Sequence, residues 1–442
     1  MFRRVLVANR GAIARRVIRA CRKLNIESVC CYSDIDAQTP AVDEADDAVR
    51  LPGNRAKDTY LNAQAILDAA KRCHTDSIHP GYGFLAESIP FADQVEKAGL
   101  VFVGPSSKWI ERMSEKTRAR AAMRDCGVPI HKGSDPIRQT RELREFVDEA
   151  GLPIVLKPAA GGGGIGMFVV EESDQLEAKF MQAKALAKAS FSDDSIYAEK
   201  YLTQPRHIEF QLIGDGTDCL FVGERECSVQ RRHQKLIEET PAPGIQTTKL
   251  DEIQRRLLAA VTGYDSVGTV ECLYANEEFG FLEMNTRLQV EHGVTEEATG
   301  IDLVEIQLRI AGGESLSSLD CKPTLQRRYA VEARLYAEDS TKMLPSAGKL
   351  NAFQPVQFEG VRIETAYRAG NHVTPYYDPL LAKIIGSGTT REQAIARTAL
   401  ALKAFEIHGV ATNSSLLQSV LGSEAFILGR IHTQLVSDLV YS

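Results

Sequence analysis

Short apolar runs alternate with longer amphipathic runs through the amino-terminal part of the chain. "RVLVAN" and "ESVCCYS" are apolar enough for buried strands, while the intervening "AIARRVIRACRKLN" repeats its apolar residues with helical spacing. The same alternation returns in "AQAILDAAKRC", "SIHP" and "LVFVGP". Strands that alternate with helices predict a parallel, doubly wound sheet. Gly11 opens the first helix, but G-x-G-x-x-G is absent, so a tight turn is favoured over an NAD site.

The pattern changes after about residue 132. Residues 132–203 follow the order helix, strand, glycine loop, strand, helix, which predicts a small α+β lid. Strand-like runs then fill residues 206–290 around a helical pattern at 249–263, which predicts an antiparallel sheet with a packed helix. The remainder, residues 330–442, mixes strands with two amphipathic helices. A chain of 442 residues without a long linker predicts two or three cooperating domains.

The stretch "GFLEMNTRLQVEH", residues 280–292, has the period of two of a strand. One face would carry only polar side chains, namely Glu283, Asn285, Arg287, Gln289 and Glu291, and the other Leu282, Met284, Leu288 and Val290. A solvent-facing edge strand is the simplest interpretation. However, Mg²⁺ prefers hard oxygen ligands, and Glu283, Asn285 and the nearby Glu271 offer three of them.

A glycine-rich loop supports a nucleotide site. "KPAAGGGGIGM" begins at Lys157 and places four consecutive glycines between two predicted strands. Glycine has no side chain to keep the backbone away from a phosphate chain, and the lysine adds positive charge beside it. A flexible hairpin is the alternative, and the loop does not have the Walker spacing.

A basic cluster follows in "ERECSVQRRHQK", with Arg231, Arg232, His233 and Lys235. A solvated face or an RNA patch is possible, but the run is short and lacks interleaved aromatic residues, so a local anion pocket fits better. The tight loop "HPGYGF" contains His79, which is as consistent with a packing residue as with a ligand.

Composition narrows the class of protein. Lys and Arg total 52 against 59 for Asp and Glu, a net charge of -7, so we expect no nucleic-acid or membrane partner. No apolar run approaches the ~20 residues of a membrane span. The opening passes directly into a strand pattern, so we expect no signal peptide. Nine cysteines without a C-x-x-C pair indicate reduced thiols. A cytoplasmic location is expected.

Taken in order, the motifs resemble the biotin carboxylase component of biotin-dependent carboxylases, in the ATP-grasp superfamily. The resemblance covers essentially the whole chain, through "VLVANRGAIARRVIRAC", "HPGYGFLAES", "GGGGIGM", "EKYL", "PRHIE", "ERECSVQRRHQKLIEE", "FLEMNTRLQVEH", "AVEARLYAED" and "YYDPLLAKI". It implies a multi-domain α/β and α+β fold: a Rossmann-like domain at 1–115, an ATP-grasp module at 116–315 with a small lid at about 132–203, and a biotin carboxylase C-terminal domain at 330–442.

The resemblance also implies roles for individual residues. ATP phosphates would meet Lys116, Lys157, Gly163 and Gly164, while Glu199, Lys200 and Leu202 would frame adenine and His207 and His233 would contact the nucleotide. Glu271, Glu283 and Asn285 would hold Mg²⁺ or Mn²⁺. Bicarbonate would lie among Lys235, Arg287, Gln289 and Val290 with Glu291 as its base, and biotin would face Arg334, near Tyr82.

The implied reaction transfers the γ-phosphoryl of ATP to bicarbonate, and the resulting carboxyphosphate supplies CO₂ to biotin. No Ala-Met-Lys-Met biotin-attachment sequence occurs, so we expect biotin on a carrier protein or domain, with carboxyltransferase subunits and a homodimeric assembly. An acetyl-CoA or propionyl-CoA carboxylase, as in fatty acid biosynthesis, is the expected setting. Alternatives are an ATP-grasp ligase with another acceptor and a catalytically silent ATP-binding regulator.

Three positions depart from the family pattern. Ile165 stands where a basic residue is common, which removes one possible phosphate contact. Gly293 replaces a usual Pro or Thr, and Ala12 replaces a usual Glu. None is a predicted catalytic position, so the expected consequences concern ATP affinity and lid behaviour.

Overall fold

The computed structural model describes residues 2–159, 166–319, 321, 328–339 and 344–441. The predicted lid residues Gly163 and Gly164, and the departure at Ile165, lie outside these ranges. None of the helices in the described ranges is both long and apolar enough to cross a membrane.

The amino-terminal region is the predicted parallel sheet. Its elements are β1 Arg4–Val7, α1 Gly11–Lys23, β2 Glu27–Tyr32, α2 Pro40–Glu44, β3 Asp47–Arg50, α3 Ala63–Arg72, β4 Ser77–His79, α4 Ile89–Lys97, β5 Val101–Phe102, α5 Ser107–Ser114 and α6 Lys116–Asp125. The strand order is β3-β2-β1-β4-β5, and every pair is parallel. The helices cover the sheet because their apolar stripes, such as Ile13, Val17 and Cys21 of α1, are buried.

The lid is a separate α+β unit. It consists of α7 Thr140–Ala150, β6 Ile154–Pro158, β7 Phe168–Val170, α8 Leu176–Phe191 and β8 Ile196–Lys200. The three strands form their own antiparallel sheet in the order β7-β6-β8. Leu156, Phe180 and Ile196 belong to a hydrophobic core made only of residues of this unit and of Ile137 just before it. The lid is therefore packed as a body of its own.

The central region contains β9 Arg206–Gly214, β10 Cys219–Arg231, β11 Gln234–Thr240, α9 Thr247–Ala260, β12 Val267–Ala275, β13 Glu278–Asn285, α10 His292–Thr299 and α11 Leu303–Ala311. Further along follow β14 Tyr329–Tyr336, β15 Glu338–Asp339, β16 Leu344–Pro345, β17 Gly348–Lys349, β18 Ala352–Gln354, β19 Val361–Thr365, β20 His372–Val373, β21 Leu380–Gly388, α12 Arg391–Ala404, β22 Glu406–His408, α13 Ser414–Leu421, α14 Glu424–Ile427 and α15 Leu435–Tyr441.

The main antiparallel sheet extends farther than the sequence predicted. Its eight strands run β13-β12-β9-β10-β11-β14-β21-β19, so strands of the carboxyl-terminal region continue the central sheet without a break. The junction is the pairing of β11 with β14, in which Glu238 lies opposite Glu332. One face thus spans both regions.

The two faces of this sheet differ because side chains alternate along each strand. In β9, Ile208, Phe210 and Leu212 enter a hydrophobic core with α9. Glu209 and Gln211 point to the other face and are also fully buried. Buried charges must be paired with partners, so the polar face is where chemistry is expected.

The predicted strand at residues 280–292 is only partly correct. Strand β13 ends at Asn285, and Arg287, Gln289 and Glu291 lie on an irregular segment before α10. The chain turns because the Thr286 N–H donates to the Glu87 side chain at 3.0 Å instead of continuing the ladder. Leu288 is nevertheless fully buried, as its apolar pattern predicted.

Candidate active site

A row of acidic residues crosses the polar face of the main sheet. Glu209 of β9 lies directly opposite Glu271 of β12, which in turn lies opposite Glu283 of β13. Like charges at opposite positions of neighbouring strands destabilise a sheet. The row therefore requires cations, and Lys and Arg side chains supply them.

Lys235 is the cation at the centre of the row. Its Nζ lies 2.7 Å from Glu209, 3.0 Å from Glu271 and 2.7 Å from Glu291, so each of its three N–H donors has a carboxylate. Burial alone would lower the pKa of Lys235, but the three glutamates outweigh it and hold that pKa well above its usual value. Lys235 stays protonated and joins β11 to the acidic row.

Arg225 on β10 is the second buried cation, and its side chain has no exposed surface. Besides an ion pair with Glu209, its terminal nitrogens donate to Gln211 at 2.7 Å, Thr295 at 2.9 Å, Thr269 at 3.1 Å and Gln289 at 2.7 Å. All five N–H donors of the guanidinium are thus used.

Glu291 is the carboxylate on which the predicted bicarbonate and biotin residues converge. One oxygen accepts from Lys235 at 2.7 Å, and the other accepts from Arg334 at 2.9 Å. Burial opposes ionisation, but Lys235, Arg334 and Arg225 outweigh it and hold the pKa of Glu291 well below its usual value. Arg334 also pairs with the buried Glu238.

Asn285, at the end of β13, and two residues of the segment at 286–291 present three further polar groups to the same site. The Gln289 amide donates to Glu271 at 2.6 Å, and the Asn285 amide donates to the same oxygen at 2.9 Å. Arg287 donates to the side-chain oxygen Oδ1 of Asn285 at 2.7 Å and to Glu87, from the amino-terminal region, at 2.8 Å. The structure therefore brings Arg287, Gln289 and Glu291 together, although not on a strand.

A second group of residues lies between the lid and β13. Lys116 pairs with Glu283 at 2.6 Å. Lys157, at the end of β6, pairs with Glu199 of β8, which also pairs with Arg120 at 2.5 Å. Burial opposes ionisation of Glu199, yet Lys157 and Arg120 lower its pKa. Lys116 precedes the lid and Lys157 lies within it, so these two lysines lie on either side of the lid boundary.

His207 is a further partner of the acidic row. Its Nε2 lies 3.0 Å from a Glu271 oxygen, and its Nδ1 lies 2.9 Å from the Gln230 amide nitrogen. Burial opposes ionisation of Glu271, but Lys235 and His207 outweigh it and lower its pKa. The carboxylate of Glu271 is therefore ionised.

The remaining predicted residues, Lys200, Leu202, His233 and Tyr82, are half-buried or exposed. Lys200 donates to the carbonyl oxygens of Gly151 and Leu152, at 3.3 Å and 2.9 Å, and Leu202 is half-buried. His233 is exposed in a left-handed turn between β10 and β11, with φ 64°. Tyr82 is half-buried, and burial raises its pKa. The Tyr82 carbonyl accepts from Asn9.

The donor set fits a divalent cation. Glu271 and Glu283 face each other across β12 and β13, with Asn285 two residues on, and one or two carboxylates plus substrate phosphates suit Mg²⁺. The ligand atoms of His207, Glu209 and Glu271 also lie within 4.8 Å of one another. Lys116 and Lys235 neutralise these carboxylates here, as a metal ion would.

Several site residues did not emerge from the sequence. Glu209, Arg225, Glu238, Glu87 and Arg120 each touch a predicted site residue. One signal was present: in "HIEFQLIG", Glu and Gln alternate with large apolar residues, as expected of a strand with a polar buried face. The other four had no distinguishing pattern.

Family comparisons cover nearly the whole chain. Residues 1–110 match the model for the biotin carboxylase N-terminal domain. Residues 115–319 match the carbamoyl-phosphate synthase L chain ATP-binding domain, and residues 332–438 match the biotin carboxylase C-terminal domain.

Individual proteins give the same result. A biotin carboxylase of Halalkalibacterium halodurans is 44% identical over 99% of this chain and 98% of its own. A biotin carboxylase complex with β-γ-ATP from Campylobacter jejuni superposes with a TM-score of 0.96 at 37% identity, covering 99% of both chains. The biotin carboxylase domain dimer of Hydrogenobacter thermophilus 2-oxoglutarate carboxylase, solved with MgADP, ADP and bicarbonate, gives 0.95 at 40% identity over 100% of this chain and 98% of its own. With its parallel amino-terminal sheet, packed lid and acidic row, the chain belongs to the biotin carboxylase family of ATP-grasp ligases.

Proposed function

We propose that the chain uses ATP and bicarbonate to carboxylate biotin carried on a biotin carboxyl carrier protein or domain. The observation that carries this proposal is the position of Glu291, which contacts both Lys235 and Arg334. The proposed base therefore contacts both the lysine proposed for bicarbonate and the arginine proposed for biotin. An acyl-transfer or hydride-transfer enzyme has no need of this combination.

The pKa of Glu291 explains how the base is controlled. With Lys235 and Arg334 bound to it, the carboxylate is ionised but a weak proton acceptor. Bicarbonate and biotin would compete for the same two cations. Once Lys235 and Arg334 turn to these substrates, their lowering effect on the pKa of Glu291 weakens, so Glu291 becomes a stronger base when its substrate is present.

Phosphoryl transfer needs positioned cations more than covalent chemistry. Lys116 and Lys157 would neutralise the ATP phosphates, with Gly163 and Gly164 of the lid closing over them, and Glu199, Lys200, Leu202, His207 and His233 would complete the nucleotide site. Glu271, Glu283 and Asn285 would hold Mg²⁺ or Mn²⁺, which when bound neutralises charge on the phosphates. Because the lid has its own core, it can close as a unit and keep water from carboxyphosphate.

Bicarbonate would lie against Lys235, Arg287, Gln289 and the backbone at Val290, with its departing proton taken by Glu291. The bicarbonate oxygen would bond the γ-phosphorus of ATP as ADP leaves, which forms carboxyphosphate. Carboxyphosphate would then yield CO₂ and phosphate, and the phosphate would take the biotin N1′ proton. The Arg334 guanidinium, next to Tyr82, would stabilise the enolate that attacks CO₂.

The first test measures ADP release from Mg–ATP with neither addition, bicarbonate alone, biotin alone, and both. Strong synergy between bicarbonate and biotin is expected. Phosphoryl transfer indifferent to biotin would instead indicate an ATP-grasp ligase with another acceptor, and ATP binding without turnover a silent regulator. Glu291→Gln should retain ATP binding but lose about 10²- to 10⁴-fold in turnover, and turnover at the parent rate would remove Glu291 as the base.

The wider assembly is also part of the proposal. A carboxyltransferase would use the carboxybiotin, with acetyl-CoA or propionyl-CoA as acceptor, as in fatty acid biosynthesis. The family also includes a 2-oxoglutarate carboxylase, so acceptors are best compared directly by [¹⁴C]bicarbonate incorporation with purified partner subunits. The dimer of that relative supports a homodimer, which sedimentation at micromolar protein would test.

A further inference from the structure

The irregular segment at residues 286–291 has to be held by side chains because it lacks a backbone ladder. Glu87 holds Thr286 and Arg287, and Arg225 holds Gln289. Lys235 and Arg334 hold Glu291. In the proposed reaction, Lys235 and Arg334 both change partners, so the end of the segment that carries the base needs another support.

Lys383 on β21 provides a contact of the required kind. Its side chain is only 2% exposed, and its Nζ donates to the Val290 carbonyl oxygen at 2.5 Å. Its nearest carboxylate partner, Glu332, is 3.9 Å away, which is beyond hydrogen-bond distance. A buried ammonium is costly unless it is well bonded. Here its short bond goes to a backbone carbonyl rather than to an acid.

The helix after the base is also fixed against β21. A Cβ added at Gly293 would lie 2.5 Å from the Ile385 Cδ1 atom and 3.4 Å from a Glu332 oxygen. The absence of a side chain at Gly293 therefore allows the first turn of α10 to approach β21 closely. Lys383 and Ile385 are two residues apart on one face of that strand. Lys383 bonds Val290, just before Glu291, and Ile385 packs against Gly293, two residues after it.

We propose that Lys383 is a positioning residue that holds the Val290–Glu291 peptide, and through it the base, while Lys235 and Arg334 turn to the substrates. The inference rests on the proposed role of Glu291. Among the described contacts, the one predicted substrate residue that Lys383 bonds is Val290, through its backbone carbonyl oxygen. This bond is expected to persist when the other two cations move. Its effect should fall on proton removal from bicarbonate and leave nucleotide binding unchanged.

Lys383→Met tests this, because methionine fills much of the same volume without a donor. The measurements are ATP affinity by calorimetry and bicarbonate-dependent ADP release without biotin. We expect unchanged ATP affinity and a loss of about tenfold to hundredfold in kcat/KM for bicarbonate. The reason is that the Val290 carbonyl loses its donor and Glu291 is no longer held in position. Arg391→Met is the matched control, since Arg391 is a largely buried cation of the same region that bonds Glu239 and two carbonyls away from the segment.

Two double variants separate positioning from charge balance and from general damage. If Lys383 only neutralised Glu332, Lys383→Met/Glu332→Gln would recover wild-type kcat/KM and overturn the inference; we expect no recovery. In a Glu291→Gln background, Lys383→Met should cause less than about twofold further loss, whereas a large further loss would show a merely structural role and also overturn it. Wild-type protein without bicarbonate-dependent ADP release would refute the proposed function itself, which distinguishes the two failures.

Discussion

Arg225→Met is the substitution that most directly tests the buried polar face. Arg225 has no exposed surface and pairs with Glu209. It also donates to Gln211 on β9, to Thr269 on β12 and to Gln289 on the irregular segment at residues 286–291. Methionine has a similar length and no donors. The substitution therefore leaves every acceptor in place while removing the group that satisfies them.

The expected loss of stability depends on which partners of Arg225 are left without another cation. Removing one member of a buried ion pair costs about 3–5 kcal/mol. Glu209 keeps Lys235 at 2.7 Å, so its charge remains neutralised, and the loss should fall at the lower end, about 3 kcal/mol. Losing the bond from Arg225 to Gln289 should also raise the KM for bicarbonate, because the segment that carries Gln289 loses one of its supports.

Urea unfolding followed by fluorescence is a suitable assay because the single tryptophan, Trp109, is buried in the core beneath the same sheet. Arg206→Met is the matched control: Arg206 is a largely buried arginine of β9 that pairs with Glu226 on the opposite face. A loss below about 1 kcal/mol for Arg225→Met, or the same KM for bicarbonate in both variants, would refute the reasoning.

Three further predictions concern stability and metal binding. Burial opposes ionisation of Glu296, but Arg16 and Arg362 outweigh it and lower its pKa to about 2, so the ionised group contributes about 3 kcal/mol above its unfolded pKa. That contribution is lost as pH falls from about 4.5 toward 2, and the gap in unfolding free energy between wild type and Glu296→Gln should narrow over this range. Gly293→Ala should destabilise by about 1–3 kcal/mol through its clash with Ile385, and Ile385→Val, which lacks the clashing Cδ1, should restore the melting temperature in the double variant. Glu271→Gln should raise the Mg²⁺ concentration needed for half-maximal ATP cleavage by about tenfold or more, measured by Mg²⁺ titration.

Each has a contrary outcome. If the difference in unfolding free energy between wild type and Glu296→Gln stays constant between pH 6 and pH 3, Glu296 has its unperturbed pKa of 4.5 in the folded protein. If Gly293→Ala/Ile385→Val is as unstable as Gly293→Ala, the loss of stability comes from the contact with Glu332 or from the backbone and not from Ile385. Glu283→Gln is measured in parallel as the comparison. If Glu271→Gln leaves the Mg²⁺ requirement unchanged, Glu271 is not a metal ligand.

Local sequence signals predicted the elements that depend on local rules. Helical spacing placed α1 and α3, and short apolar runs placed β1 and β2, because these patterns reflect which side of an element is buried. The strand at residues 280–292 was predicted too long. Its period of two continues past Asn285, but a hydrogen bond from Thr286 to the distant Glu87 ends the strand, and no local pattern contains that contact.

The sequence by itself determined the alternation of strands and helices, the small α+β unit after residue 132, and the identity of the acidic, basic and glycine-rich motifs. The tertiary structure alone decided that strands of the carboxyl-terminal region continue the central sheet and that Lys383 reaches Val290, a residue 93 positions away in the chain. It also decided that Glu291 is held by Lys235 and Arg334 at once. The physical reason is that periodicity records only burial, whereas the pKa and orientation of a buried charge depend on which distant charges the fold brings beside it.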